Sequence, residues 1–417
     1  MRLFSLMFTT FWLAIPALSA DWPQFNGPMR NGISSEKGLQ DSWPEGGPKQ
    51  LWEIQVGPGF GGAAIKDGKV YFTDRENDQK DLIRCVDLAT GEEVWRMTKE
   101  VPGRLPFNGS RCTPTIDGNM VFAVSPFGHF YAIDMASGKL VWEVPFMEKY
   151  GGEPPRWGYS HAPLVVGKKV IIAPMSDKAN LVAFDRETGK QLWQSAGAGG
   201  DGYASPNLFT LFGKPQILML NKDKLMSVDP ENGKELWTYS GYQNPIPIPH
   251  PTALPGDRLF ISGGYGAGSV MVKVEKNGDE IQVSELFRLD NRGSQVQQVI
   301  YHDGYLYANF NTNENLRKEP EGLICLDENG ETMWKTNQSP PMNRGNLIIA
   351  DDKILALGGE NGILYMAKAT PKGYQEMASA NIFETKPREN MIWAPMALTD
   401  GKLVLRNQSM MKCLDLK

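Results

Sequence analysis

Short apolar runs, most of them alternating with polar residues, recur along the whole chain and are separated by turn residues. Eight stretches share one form: a small residue or proline, a brief apolar run, a turn and a second apolar run. They begin near residues 63, 113, 162, 205, 251, 299, 347 and 394. Because Asp-Gly and Gly-Lys pairs between alternating runs favour hairpin turns, each stretch predicts a pair of antiparallel strands.

A second pattern follows these hairpins and closes on a tryptophan. Residues 185–193 read DRETGKQLW, with close copies at 87 (DLATGEEVW), 134 (DMASGKLVW) and 229 (DPENGKELW) and a shorter form at 327 (DENGETMW). The Asp and the Thr or Ser are typical of tight turns, and the Gly permits a positive φ. We therefore predict a third strand ending at the Asp and a fourth carrying the Trp. The repeat residues are Trp52, Trp95, Trp142, Trp193, Trp237 and Trp334, with Gly91, Gly138, Gly189 and Gly233.

The spacing of these tryptophans is that of propeller blades. Successive residues from Trp95 to Trp237 are 47, 51 and 44 positions apart, and 97 positions then separate Trp237 from Trp334. One further blade fits into that longer gap, with Phe287 as the predicted substitute for its Trp, and Phe383 is the predicted substitute in the blade after Trp334. A large aromatic side chain can fill the wedge between neighbouring sheets. An open β-solenoid is the alternative, but the unit is too long for a single coil.

The two ends of the repeat region complement each other. The chain stops at KCLDLK, directly after the Asp that elsewhere starts the turn, whereas LWEIQV (51–56) is a Trp strand without a turn of its own. We predict an all-β, eight-bladed propeller of four-stranded antiparallel blades over residues 51–417, closed by the strand at 51–56. Residues 21–50 are predicted to form an extended N-terminal segment.

The first twenty residues and the composition bear on location. Residues 1–20 contain Arg2, an apolar stretch and small residues at 17–20, which predicts a signal peptide cleaved near Ala20 in a bacterial periplasmic or secreted protein. A membrane anchor is the alternative, although the stretch is short for a span, and no other transmembrane segment is expected. A net charge of −5 argues against a nucleic-acid partner. The four cysteines are too few for a disulfide framework and are predicted to be free thiols. Cys85, Cys325 and Cys413 each lie two residues before a repeat Asp and are predicted to be buried, and we expect a monomer.

The fullest form of the repeat, complete at Ala132–Trp142 and Ala183–Trp193, resembles the tryptophan-docking repeat of pyrroloquinoline-quinone (PQQ) dehydrogenases. It is also similar to the PQQ-like repeat in the lipoprotein of the bacterial outer-membrane barrel assembly machinery. The dehydrogenase resemblance implies a central PQQ, a calcium ion held by Glu, Asn and Asp side chains, and a catalytic Asp. Many of those enzymes also stack the cofactor between a Trp and a disulfide of adjacent cysteines. This sequence has no Cys-Cys pair and no local match to the calcium-ligand or catalytic positions.

The segments that enter the first strand of each blade predict a ring of residues at the channel mouth. Its slots are Gly62, Cys112, His161, Ala204, His250, Gln298, Asn346 and Trp393. The candidate ligand-binding residues in and around this ring are Arg111, Trp157, Tyr159, His161, Tyr203, His250, Gln298, Arg344, Asn346 and Trp393. Cationic, aromatic and amide groups converging on one axis could bind an anion, a sugar or a peptide carboxylate. Alternatively, these residues plug the channel and bond to one another and to water.

Two function classes follow. The first is an exported, non-catalytic propeller that binds another protein or a glycan through the channel-mouth face, without a cofactor. The second is a quinoprotein oxidoreductase using PQQ and calcium. No hydrolase or phosphate-loop signature occurs, and we name no catalytic residue. His161 and His250 share a slot two blades apart, too far for direct co-ligation, and no third ligand is evident, so no metal site is predicted.

Overall fold

The computed structural model describes residues 21–198, 202–311, 320–337, 339–385 and 391–417. The predicted signal peptide, residues 1–20, lies outside these residues. Strands β1 (Ile33–Ser34) and β2 (Lys49–Gln55) precede the blades, and the one helix of the described residues, α1, spans Phe146–Tyr150. No helix in this part of the chain is long and apolar enough to cross a membrane.

The remaining strands form eight antiparallel sheets in a propeller ring, as predicted. Blade 1 consists of β3 (Ala63–Lys66), β4 (Lys69–Glu76), β5 (Lys80–Asp87) and β6 (Glu93–Glu100), and blade 2 of β7 (Thr115–Asp117), β8 (Met120–Val124), β9 (His129–Asp134) and β10 (Leu140–Pro145). Blade 3 consists of β11 (Leu164–Val166), β12 (Lys169–Ile172), β13 (Val182–Asp185) and β14 (Gln191–Gln194), and blade 4 of β15 (Asn207–Leu211), β16 (Lys214–Leu220), β17 (Leu225–Val228) and β18 (Glu235–Tyr239).

Blade 5 consists of β19 (Thr252–Leu254), β20 (Arg258–Gly263), β21 (Gly268–Asn277) and β22 (Glu280–Leu289), and blade 6 of β23 (Ile300–His302), β24 (Tyr305–Phe310), β25 (Gly322–Leu326) and β26 (Thr332–Lys335). Blade 7 consists of β27 (Asn346–Ala350), β28 (Lys353–Leu357), β29 (Ile363–Lys368) and β30 (Glu376–Asn381), and blade 8 of β31 (Ala397–Thr399), β32 (Lys402–Arg406), β33 (Met410–Asp415) and the N-terminal strand β2. The first strand of each blade lies innermost, and β3 contacts both β7 and β31, so the ring is closed.

Closure by the two chain ends is confirmed. Strand β2 pairs antiparallel with β33, placing Trp52 opposite Cys413, and it begins at Lys49, two residues earlier than predicted. Cys85 and Cys325 likewise lie opposite Trp95 and Trp334. All four cysteines are free thiols. Cys85, Cys325 and Cys413 are buried as predicted, and Cys112, a predicted slot of the channel-mouth ring, is buried as well.

The repeated Trp and Gly of neighbouring blades pack against each other. Gly138, with φ +70°, lies so close to Trp95 of the preceding blade that a Cβ there would be 2.5 Å from its indole ring. The Trp95 Nε1 donates a hydrogen bond to Met135 O at 3.0 Å in the same turn. The same indole-to-carbonyl bond runs from Trp52 to Leu88, Trp142 to Arg186, Trp193 to Pro230 and Trp334 to Thr370. At these five junctions, one indole ring and one turn therefore fasten a blade to the next.

The blades that depart from this rule have identifiable reasons. Trp237 donates to Gln216 Oε1 within its own blade, because blade 5 joins its outer strands by a plain hairpin instead of the Asp-to-Gly turn. Phe287 packs against Gly330 of blade 6, as predicted for a Trp substitute.

The prediction for Phe383 is wrong. At each tryptophan the outer strand carries a register shift, and in blade 7 that position is held by Ala378, opposite Met366. Phe383 lies beyond the end of β30. Blade 8 is made from the two chain ends, so no covalent turn from its third to its fourth strand offers a glycine to blade 7. Trp43 from the N-terminal segment and Ala378 instead pack against the same core cluster.

Residues 22–36 of the N-terminal segment run across the channel and contact every blade or the connection that enters it. Its main chain bonds to blade 1 through Trp22 and Ile65 and to blade 2 through Pro23 and Ile116. Strand β1 adds a parallel strand to β27 of blade 7. The other contacts are Arg30 with blades 3 and 4, Phe25 with His250 before blade 5, Gly32 with Ile300 of blade 6, and Glu36 with Gly401 of blade 8.

Candidate functional site at the channel mouth

A cavity of about 580 Å³ occupies one end of the central channel. Its walls come from the connections between blades and from the turns that join second and third strands, for example Phe107, Tyr265 and Glu360. Phe25 of the N-terminal segment also lines it. The segment contacts the turns between first and second strands, as at Asp67 and Gly401, which lie at the opposite face. The cavity is therefore open at one face and blocked towards the other.

One part of the wall is a continuous stack of cations and rings. The Arg111 guanidinium lies over Phe60, 5.0 Å from the ring centroid. Phe60 and Trp393 follow at 5.3 Å between centroids, and the Arg344 guanidinium lies 5.0 Å from the Trp393 centroid. Each guanidinium therefore gains cation–π contact with a ring that also lines the cavity.

A second aromatic group lies in the same cavity. The Trp157 ring is 5.4 Å from Tyr203 and 6.4 Å from Tyr265, and it is nearly parallel to Tyr265, with 20° between their planes. These rings arise from blades 3, 4 and 5, so only the closed ring brings them together. Flat apolar faces of this kind suit a planar ligand or the C–H face of a sugar.

Arg111 is a buried cation whose described partners are all carbonyl oxygens. Arg111 is 8% exposed, and its side chain donates to Trp157 O, Phe107 O and, at 3.4 Å, Gly109 O. Burial lowers the pKa of Arg111 to about 10, so the group stays charged at neutral pH. Among the described residues, no carboxylate forms an ion pair with it. The cation is held by main-chain dipoles, and no carboxylate of the described residues neutralises its charge.

Arg344 is held differently. Its Nε donates to Gln295 Oε1 at 3.0 Å, and its Nη1 lies 3.8 Å from Glu360 Oε1. Glu360 also accepts a hydrogen bond from Asn343 at 3.0 Å. Glu360 is the one carboxylate among the described lining residues, against two guanidinium groups. The described lining therefore carries a net positive charge.

Five of the ten candidate residues line this cavity and five do not. Arg111, Trp157, Tyr203, Arg344 and Trp393 are lining residues. The remaining five are buried beside it: Tyr159, His161, His250, Gln298 and Asn346. Of the eight predicted slots, only Trp393 faces the cavity, so the predicted ring does not form as such.

The physical reason is alternation along an extended chain. Side chains of successive residues in an extended segment point to opposite sides. Cys112, His161 and Ala204 are fully buried against the blades. Their neighbours face the cavity instead: Arg111 and Thr113, Ser160 and Ala162, Tyr203 and Ser205. In these blades the predicted slots therefore lie one residue away from the residues that face the cavity.

The two histidines serve the fold. His161 Nε2 accepts a hydrogen bond from Ala173 N at 3.1 Å, and burial lowers its pKa to about 3. His250 Nδ1 lies 2.9 Å from Pro251 O, and burial lowers its pKa to about 4. Both rings are therefore neutral at physiological pH. In the described chain, one group of metal-ligand residues comes together, His302, Asp303 and Asp352, and it lies at the opposite face.

Sequence reasoning missed several lining residues. Phe60, Phe107 and Tyr265 lie in loops with no repeated pattern, and Phe25 lies in the N-terminal segment. Gln295, Val296 and Gln297 are consecutive in SQVQQ and end one residue before the predicted slot at Gln298, so a search of the residues just before that slot would have found them.

Comparison with known proteins places the chain in a family. A family model described as outer membrane protein assembly factor BamB matches residues 79–336, more than half of the chain. The chain belongs to this family. BamB of Moraxella catarrhalis has a similar structure, with a TM-score of 0.61 and 14% identity over 88% of this chain and 98% of that one.

The BamB-family chain is also similar to quinone-dependent dehydrogenases. It is 31% identical over 143 residues to the dehydrogenase subunit of the quinone alcohol dehydrogenase of Gluconobacter oxydans, which is 31% of this chain and 18% of that protein. It is 27% identical over 173 residues to quinoprotein alcohol dehydrogenase PedH of Pseudomonas putida, 39% and 26% of the two chains. The matches thus span between about a sixth and a quarter of these relatives. The quinohemoprotein alcohol dehydrogenase of Comamonas testosteroni shares the fold, with a TM-score of 0.67 and 13% identity over 94% and 80% of the chains.

The described lining of the cavity does not fit a calcium-bound PQQ. Calcium takes six to eight oxygen ligands, usually with several carboxylates. The described lining offers the single carboxylate of Glu360, which is already paired with Arg344. Cys112 is a free thiol turned away from the cavity, so no disulfide is available to cover a cofactor ring.

Proposed function

We propose that this BamB-family protein is an exported, non-catalytic propeller that binds part of a protein or glycan in its channel-mouth cavity. The observation that carries the proposal is the cavity itself. It is blocked by Phe25 and surrounded by aromatic rings. Its charge comes from the Arg111 guanidinium, which has no carboxylate partner among the described residues. Concave sites with apolar walls and a few fixed polar groups are typical of ligand binding.

The hydroxyl groups of the cavity favour binding over catalysis. Thr113 Oγ1 accepts a hydrogen bond from Gly62 N, and Ser205 Oγ accepts one from Ala162 N. Ser160 Oγ donates to Tyr203 O. None of these described bonds joins a hydroxyl to a histidine or carboxylate, the arrangement that activates a nucleophile.

Export is part of the proposal. The basic, apolar and small-residue pattern of residues 1–20 supports a cleaved signal peptide and a periplasmic or secreted location. The partner is accordingly another exported protein or a glycan, and we expect the protein to act as a monomer.

The alternative is a quinoprotein oxidoreductase. The partial similarity to quinone alcohol dehydrogenases favours it, whereas the single lining carboxylate argues against calcium-dependent PQQ binding.

One experiment separates the two. Mature protein, residues 21–417, is incubated with PQQ and Ca²⁺, dialysed, and examined for quinone absorbance and alcohol-dependent dye reduction. In parallel it is applied to glycan and peptide arrays as wild type, as Trp157→Ala and as the control Tyr239→Ala, an outer-strand aromatic residue. We expect array binding that is lost in Trp157→Ala and kept in the control. Stoichiometric PQQ retention with dye reduction contradicts the proposal.

A further inference from the structure

The geometry points to a more specific ligand: we infer that the cavity takes the end of an acidic oligosaccharide, with a uronate carboxylate on Arg111 and a sugar ring against Trp157. This inference depends on the proposed binding function. It draws on four features of the described cavity: an unneutralised cation, paired aromatic faces, amide and hydroxyl groups, and a blocked base.

The first feature is the readiness of Arg111 for an anion. A guanidinium has five N–H donors, and three are used on the carbonyls of Trp157, Phe107 and Gly109. Two donors have no partner among the described residues and remain for a ligand. The anchored N–H groups and the stacking on Phe60 fix the plane of the guanidinium before any ligand arrives. A planar fork held in this way matches a carboxylate, which it can bind in a bidentate manner.

The second feature is the pair of flat surfaces. A pyranose ring has a face of C–H groups that packs on an aromatic ring, while its hydroxyl groups project from the edge. Trp157 and Tyr265 are nearly parallel, and Trp393 with Phe60 forms a separate tilted pair. The cavity therefore has room and surfaces for at least one sugar ring beside the cation.

The third feature is the set of neutral polar groups between these surfaces. Gln295 Oε1 accepts from Arg344 Nε and from Asn311 Nδ2, both at 3.0 Å, so its amide NH₂ is the end left to donate. The hydroxyls of Thr113, Ser160 and Ser205 also line the cavity. Neutral amides and hydroxyls of this kind complement sugar hydroxyl groups.

The fourth feature is the blocked base. Phe25 lies beneath the cavity, and Arg30 on the same segment bonds to carbonyl oxygens of Ala162, Pro163 and Pro206. A polymer cannot pass through the channel while this segment is in place. A long glycan must therefore enter by its end, or bind as a short oligomer.

The main-chain surroundings favour a sugar over a peptide. Peptides commonly bind by adding a strand to a free sheet edge. Two inner edges at this channel are already paired by the N-terminal segment, at Ile33–Ser34 on β27 and at Trp22 on Ile65. Recognition in the cavity consequently depends on side chains, as it does for sugars.

The first test varies the ligand and leaves the protein intact. Binding to wild-type residues 21–417 is measured by calorimetry for a uronate trimer, its carboxyl-reduced counterpart and a sulfated neutral trimer. We expect the carboxyl-reduced sugar to bind about 10- to 100-fold more weakly, the effect of losing charge-assisted hydrogen bonds. Sulfated sugar binding as tightly as the uronate would show that the site reads anionic charge from either source and would overturn the carboxylate assignment. Equal binding of the reduced sugar would overturn the inference.

The second test addresses entry by the chain end. The affinity and the number of proteins bound per sugar chain are measured for uronate oligomers of increasing length. We expect one protein per chain and an affinity that stops rising after a few sugars. Several proteins bound along one long chain would overturn the chain-end assignment.

The third test uses variants. Trp157→Ala keeps the main-chain acceptor of Arg111 and should weaken uronate binding at least tenfold, and Arg111→Lys should weaken it while retaining the charge. The control Arg96→Gln, on an outer strand, should bind like wild type. If a peptide binds in a manner that Trp157→Ala abolishes while no sugar binds, this inference is overturned and the proposed function stands. Ligands insensitive to both cavity variants would contradict the proposed function as well.

Discussion

The contact between Trp193 of blade 3 and Gly233 of blade 4 offers a direct measure of how the blades are fastened. Gly233 has φ +71°, and a Cβ there would lie 2.4 Å from Trp193 Cε3. The Trp193 indole also donates to Pro230 O at 3.1 Å. Gly213 provides a matched control, because its φ is +69° and no atom lies within 4 Å of the position of its Cβ.

The magnitudes follow from these two environments. An L-residue in the left-handed region costs about 1–2 kcal/mol, and Gly213→Ala should lose about that much. Gly233→Ala adds a clash with the indole, for which overpacking of a core suggests about 1–3 kcal/mol more. Trp193→Ala should cost about 3–5 kcal/mol, the range for emptying a large aromatic site. In the double variant the clash is gone. Its loss of unfolding free energy should therefore be about 1–3 kcal/mol smaller than the sum of the losses in the two single variants.

The assay is urea unfolding of residues 21–417 followed by far-ultraviolet circular dichroism, which does not depend on the removed Trp. Free energies of unfolding are compared for the wild type, Gly213→Ala, Gly233→Ala, Trp193→Ala and the double variant. Equal losses for Gly233→Ala and Gly213→Ala, or a fully additive double variant, would refute the role of this contact in joining the blades.

Three further outcomes are expected. Deleting β2 (Lys49–Gln55) should expose the edge of β33 and cause aggregation, seen by light scattering; a monomeric, native-like product would show that closure is dispensable. Arg30→Met should lower the free energy of unfolding by about 3 kcal/mol, because three buried carbonyls lose their donor; an unchanged melting temperature would contradict this. His161 and His250 have folded pKa values near 3 and 4, so the unfolded chain binds protons first as pH falls below about 6.5. The free energy of unfolding is therefore at its full value above that pH, and each histidine should lower it by roughly 2 kcal/mol at pH 5. Urea midpoints at both pH values check this, and a His161→Gln variant with an undiminished pH dependence would refute its share.

The candidate site was only half accessible from the sequence. Arg111, Trp157 and Trp393 could be found because they stand beside the strand openings that the repeat locates. His161 could not be excluded, since a difference of one residue in an extended segment turns a side chain from the cavity into the core. The repeat alone does not fix that difference, because the connections between blades vary in length.

Phe383 illustrates a second limit. Counting about 49 residues from Trp334 predicts an aromatic residue at 383, yet the strand pairing places Ala378 at the equivalent position. Blade 7 faces the junction of the two chain ends. There Gly47 approaches Ala380, and the described residues offer no repeat turn for a Trp of blade 7 to pack against. The exception arises from tertiary closure, which leaves no mark in the local pattern.

The sequence by itself determined the number of blades, their four strands and the closing strand at Trp52, because each of these is written in local turns and repeated packing residues. The tertiary structure alone decided the cavity. Its lining residues come from connections scattered over the ring. Its base is Phe25, which belongs to the N-terminal segment that runs across all the blades. Local turn chemistry fixes strands one unit at a time, whereas the position of a side chain on the channel axis depends on every blade being in place.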